Sequence, residues 1–166
     1  IGTIFSFNSN RFAIYLWLGT LCYLVYTFLI YCFAVRFNAL FIPYCLILGM
    51  SFFSVVWFFM GDKKKFYGRT DNRLLRIVGI YFIVISVLFY GLWLMEIIPA
   101  TIRGEIPMSG REAGLFTNPV HVLDLSLFLP ATFMIGTLAL RKTMLSTILS
   151  PVLLTFFILM DLTIAI

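Results

Sequence analysis

The sequence predicts an all-α polytopic transmembrane helix bundle with five visible spans and the tail of an earlier one. Three observations carry this expectation. Of 166 residues, 62% are hydrophobic and only 11% are charged, whereas soluble domains run nearer a quarter charged. The apolar residues gather in runs of about 20, the length a helix needs to cross a bilayer. The runs show no polar alternation, and open sheet edges go unsatisfied in lipid, so the spans must be helices.

The first span is expected at 12–35, from "FAIYLWLG" to "YCFAV", which carries no charge. After "RFN" the second occupies 39–60, and "IVGIYFIVISVLFYGLWLM" at 77–95 is the third. Residues 120–140 and 143–166 form the fourth and fifth, joined by a tight turn. Ahead of them, "IGTIFSF" at 1–7 is apolar, precedes the polar break "NSNR", and lacks the charges-first pattern of a signal peptide. It reads as the end of an earlier helix. Residues 1–166 are therefore expected to form a single transmembrane helical domain, a fragment lacking one or more N-terminal spans.

Charge sets the expected orientation. The net charge is +5, but the basic residues sit in short loops and not in an aromatic-interleaved basic patch, which argues against a nucleic-acid partner. If the spans alternate, Arg11, Lys63, Lys64, Lys65, Arg69, Arg73, Arg76, Arg141 and Lys142 share one side, against Arg36, Arg103 and Arg111 on the other. That bias makes loop 61–76 and the turn 141–142 cytoplasmic, and loop 96–118 and the C-terminus extracytoplasmic. Loop 96–118 is expected either as an ordered or re-entrant cap over the bundle or as a plain exposed loop. Cys22, Cys32 and Cys45 lie in apolar runs without CxxC or metal-ligand spacing, so they read as packing residues and not as a disulfide framework.

The stretch "LFTNPVHVLD" at 115–124 holds the only histidine. Asn118-Pro119 has the form of an N-cap followed by proline at the first helical position. His121 and Asp124, three residues apart, then share a face. Asp124 lies about 24 Å along its helix from the tight turn, and Asp161 about 27 Å along the next, at 1.5 Å per residue. Both are thus expected at similar depth beneath the outer boundary, with Glu96 arriving there from the third span. Lipid exposure of such groups is costly, so they are expected to face protein or a wet cavity. Tyr31, Arg36 and Asn38 approach the same side. Thr20, Tyr23, Thr27 and Tyr31 form a stripe on the first span, and Thr143, Thr147, Ser150 and Asp161 one on the fifth, for packing or for lining a cavity.

Three functional readings arise. The first is a small ligand or cation bound or transported at an outward-facing His/carboxylate site, with ligand-binding candidates His121, Asp124, Asp161, Glu96, Tyr31, Arg36, Asn38 and Asn118. The second is a membrane-embedded hydrolase or metalloenzyme, with His121 oriented by Asp124 or a metal held by His121, Asp124 and Asp161. One histidine among acids is an unusual zinc set, and Ser126 is placed to point elsewhere. The third is a non-catalytic membrane subunit or assembly factor. No HExxH, P-loop, GxSxG or dinucleotide fingerprint occurs, and one histidine excludes bis-histidine haem within this chain. The expected partners are membrane lipids, the missing N-terminal helices or a partner subunit, and a small ligand or cation.

The stretches "YCFAVRFNALF" and "TNPVHVLDLSLFLPA" resemble parts of a family of uncharacterised bacterial polytopic membrane proteins. The resemblance runs from about Leu16 to the end, and its motif-like residues are Arg36, Asn38, Asn118, Pro119, His121 and Asp124. It implies additional helices before this region, about seven spans in all, and a multi-pass place in the bacterial cytoplasmic membrane. It implies no mechanism.

Overall fold

The computed structural model describes residues 11–61 and 71–165. The expected helix tail at 1–7 and the basic residues Lys63, Lys64, Lys65 and Arg69 lie outside them. Among the described residues all regular structure is helical: α1 (Arg11–Ala34), α2 (Phe41–Met60), α3 (Asn72–Arg103), α4 (Met108–Glu112), α5 (Pro119–Leu123), a π-helical turn (Asp124–Phe128), α6 (Leu129–Leu140) and α7 (Ser146–Ile164). The α5–π–α6 unit is continuous over Pro119–Leu140, and with α1, α2, α3 and α7 it makes five helices long and apolar enough to cross a membrane. The expected polytopic all-α class holds.

The boundaries follow local chemistry. Asn38 turns the chain between α1 and α2, its side chain accepting from the Leu40 amide at 2.8 Å and its carbonyl from the Phe41 amide at 3.1 Å. Asp71 caps α3 through the Arg73 amide at 2.9 Å, satisfying an N–H that the first helical turn leaves open. α3 is therefore longer than the 77–95 expectation. Its 32 residues span about 48 Å, well beyond a hydrocarbon core of about 30 Å. The expectation ended at Glu96 because a charge usually ends a span, yet the helix runs on through Pro99. It stops at Gly104, whose left-handed backbone (φ 66°) lets Glu105 donate to the Ala100 carbonyl at 2.9 Å. The same closure recurs at Gly114, with Leu115 donating to Gly110. Loop 96–118 is thus mostly helix, and α4 folds across the ends of α3 and α5.

α1 packs between α2 and α7, and α6 lies against α3 and α7. One core cluster joins Leu18, Ile148 and Val152, and a second joins Phe82, Ile135 and Leu153. Small residues set how closely the helices cross. A Cβ on Gly79 would stand 2.8 Å from the Gly136 carbonyl oxygen, and one on Gly136 would stand 2.9 Å from that of Gly79. Without a hydrophobic force between helices in lipid, such backbone approach is a main source of association. The α7 stripe is split: Thr147 and Ser150 are buried in packing, whereas Asp161 is exposed.

Gly136→Ala is expected to destabilise the bundle by about 1–3 kcal/mol, the usual effect of overpacking. Gly91→Ala, where a Cβ would meet nothing within 4 Å, is expected to be neutral or better. Unfolding in denaturing detergent measures both.

Candidate functional site

The buried side chains of His121 and Asp124 lie where α1, α3 and α5 meet. Asn118 caps α5 as the sequence indicates, its side chain accepting from the Val120 amide at 3.0 Å, with Pro119 at the first helical position. One turn on, His121 and Asp124 are both 6% exposed. Each Asp124 oxygen has its own donor from a different helix. The Tyr26 hydroxyl of α1 donates to Oδ1 at 2.7 Å, and the Trp93 indole N–H of α3 donates to Oδ2 at 2.9 Å. The Trp93 ring also lies against the His121 ring, with centroids 4.7 Å apart.

A second set of bonds sits directly above. His121 Nε2 lies 3.6 Å from Glu96 Oε2 and 3.3 Å from Ser109 Oγ. The other Glu96 oxygen accepts from the Ser109 amide at 2.8 Å, and Asn118 Nδ2 donates to Ser109 Oγ at 3.2 Å. With a proton on Nε2 the imidazole donates towards Glu96 and Ser109, and without it Nε2 accepts the serine hydroxyl. In either state Ser109 and Glu96 fasten α4 to α3 and to the start of α5.

The π turn has a chemical cause that the sequence carries openly. Pro130 has no N–H to give. The Leu129 amide reaches back five residues to the Asp124 carbonyl instead of four, so the Leu125 carbonyl loses both the α partner at 129 and the π partner at 130. The Tyr90 hydroxyl fills that position, donating to Leu125 O at 2.9 Å. Pro130 therefore shifts the helical register at Asp124, and α3 supplies the missing donor. π turns are rare and occur mostly as single-turn bulges inside α-helices, frequently at functional sites.

The expected outward-facing ligand or cation site is corrected by this arrangement. The His121–Glu96 pair is internal, with side-chain exposures of 7% and 27%, and its neighbours and both Asp124 oxygens bond to other parts of the same chain. Asp161 is exposed near the end of α7, and no bond of the network reaches it. The last residues of α7, 161–164, are all exposed, so Asp161 has no packed neighbour to face. Arg36 is exposed, and Asn38 closes its own turn. Tyr31 packs on Phe28 and Tyr44 at 5.5 Å. Arg103 and Arg111 pair with Glu105, each at 3.4 Å, and not with the buried acids. Ser126 donates to the Val122 carbonyl and so is not presented to His121. Among the described residues no three His, Cys, Asp or Glu side chains are grouped to hold a metal ion.

Tyr26, Trp93, Tyr90 and Ser109 complete the cluster, and the sequence reading missed them. A signal was present: Tyr90, Trp93 and Glu96 recur at three-residue spacing and so share a face of α3. Tyr26 lay one residue off the stripe drawn through Tyr23 and Thr27.

No family model, curated protein or solved structure matches this chain. What stands of the resemblance drawn from "YCFAVRFNALF" and "TNPVHVLDLSLFLPA" is the coarser class, a polytopic membrane protein with several apolar helices.

Tyr90→Phe is expected to lower stability by about 1 kcal/mol, because it leaves a half-buried carbonyl unpaired. In a Pro130→Ala background the loss should shrink, since the new amide at 130 lets Leu125 find a backbone donor in either helical register. A double-mutant cycle on unfolding reads the difference.

Proposed function

We propose that this chain is a membrane-embedded structural component whose intramembrane polar residues lock its helices in a fixed arrangement. One observation carries the reading: both oxygens of the buried Asp124 are bonded by side chains of two other helices, Tyr26 of α1 and Trp93 of α3. A carboxylate intended for a passing solute needs a free oxygen or a donor that yields. Here each Asp124 oxygen already accepts from the protein, and Glu96, Ser109, His121 and Asn118 extend the same internal bonding to α4. A buried acid with one missing donor would be costly in lipid, so the carboxylate admits only the helix arrangement that brings both donors to it.

The orientation that accompanies this reading places the chain in a bacterial cytoplasmic membrane, with 61–76 and 141–142 inside and 96–118 outside. The nine-to-three distribution of basic residues supports it. The outward faces of α1 and α2, with Phe12, Ile42, Phe53 and Trp57 exposed, suit acyl chains or the further helices of a larger assembly.

The test is a double-mutant cycle. Asp124→Ala, Tyr26→Phe and Trp93→Phe should each destabilise the folded chain. Each pair with Asp124 should couple by about 0.6–1.7 kcal/mol, the range for interhelical hydrogen bonds in membranes. An Asp124→Ala protein that unfolds like the native one would sink the structural role.

A further inference from the structure

Cys32 of α1 and Cys45 of α2 face each other across the first helical hairpin, their sulfurs 4.0 Å apart. Rings on both helices pack beside the two sulfurs. Tyr44 packs on Tyr31 at 5.5 Å and on Phe28 at 5.8 Å, and Tyr31 and Tyr44 each directly precede one of the cysteines. A disulfide has an S–S bond of about 2.05 Å, so closing this gap takes about 2 Å of sulfur movement. Both cysteines sit close to the hairpin end. Cys32 lies two residues before the end of α1 and Cys45 four after the start of α2, about 3 and 6 Å along their helices. Cys45 is exposed and Cys32 half-buried, whereas Cys22 lies deeper on α1.

We propose that Cys32 and Cys45 form a reversible intrachain disulfide that staples α2 to α1. α2 is the least buried of the five spans and packs chiefly on α1, so it is the helix that gains most from a covalent tie. The co-reactant is a disulfide-bearing oxidant. The exposed Cys45 loses its proton and its thiolate attacks one sulfur of the oxidant, giving a mixed disulfide and releasing one thiolate. Cys32, likewise deprotonated, then attacks Cys45 Sγ and expels the second. Two thiols of the chain lose two protons and two electrons, and the oxidant's disulfide becomes two thiols. The proposed orientation puts this end of the hairpin outside, where such oxidants prevail. Only the bridge's presence in cells rests on that orientation; the pairing itself does not.

The experiment uses the full chain in lipid nanodiscs, equilibrated with oxidised glutathione, then denatured and alkylated with a mass-tagged maleimide. The chain has three cysteines, so tagging should fall from three thiols to one, with Cys22 the tagged residue and a peptide linking α1 to α2. Dithiothreitol should restore all three. Cys22→Ser should still form the bridge, while Cys32→Ser and Cys45→Ser should each abolish it. Three tagged thiols after oxidation, a bridge involving Cys22, or a disulfide between copies that survives in Cys32→Ser would each overturn the pairing. If the bridge forms in nanodiscs but tagging in intact cells finds three free thiols, the pairing stands and the outside placement of this hairpin end fails.

Discussion

A carboxylate buried among membrane helices is the constraint on which this arrangement turns. Asp124 has two oxygens, and each must find a donor from protein because lipid offers none. The donors come from helices far apart in sequence, Tyr26 of α1 and Trp93 of α3. Those two bonds fix the depth of α5 relative to both neighbours. The Pro130 register shift and the Tyr90 bond to Leu125 belong to the same solution, since the turn they create begins at Asp124 itself. The glycine contact between α3 and α6 lies along the same pair of helices. Close backbone approach and polar satisfaction therefore reinforce one another along one seam.

The geometry separates two kinds of buried polar cluster that look alike in composition. A working acid or base keeps part of its hydrogen-bonding capacity for substrate, and a transport site keeps a path to water. The cluster around Asp124 and His121 turns its bonds inward, to Tyr26, Trp93, Glu96, Ser109 and Asn118. Its bonds run to α1, α3 and α4, three parts of the fold that would otherwise meet mainly through apolar contact. Specificity of assembly is the property such a network supplies most directly: hydrophobic helices in lipid have many near-equal ways to pack, and one buried acid rejects those in which its donors are absent.

Much of this was legible in the sequence, for physical reasons. Span number followed from apolar length, and the α5 start from Asn118-Pro119. The pairing of His121 and Asp124 on one face followed from helical spacing. What escaped depended on rotation about helix axes. Counting residues along a helix does not show what packs beside it, and Asp161 falls among the last residues of α7, all of them exposed. The same limit hid Tyr26, one position from a stripe that looked equally good. The third helix was expected to end before Glu96 because a charge in lipid is costly alone; it runs on to Arg103, and nothing local showed that Ser109, thirteen residues on, would donate to Glu96. Aromatic residues with one polar atom were the overlooked class. Tyr and Trp count as apolar when spans are drawn, yet here they are the donors that make an acid tolerable in the membrane.

The two ends of the helix order are held by different physics. α3 is held to its neighbours by indole and hydroxyl donors and by glycine contact, so its position is specified by groups that lose much when displaced. α2 is joined to α1 by rings, with Phe28, Tyr31 and Tyr44 in mutual contact, and its Trp57 is 81% exposed. Because lipid tails solvate apolar side chains about as well as another helix does, ring contacts of this kind give weak preference for one rotation over another. The fold is therefore polar-keyed where α1, α3 and α5 meet and only apolar-keyed at α2. Motion or remodelling in response to lipid, partner helices or thiol chemistry falls to α2 first, because displacing it breaks no bond to the buried acid.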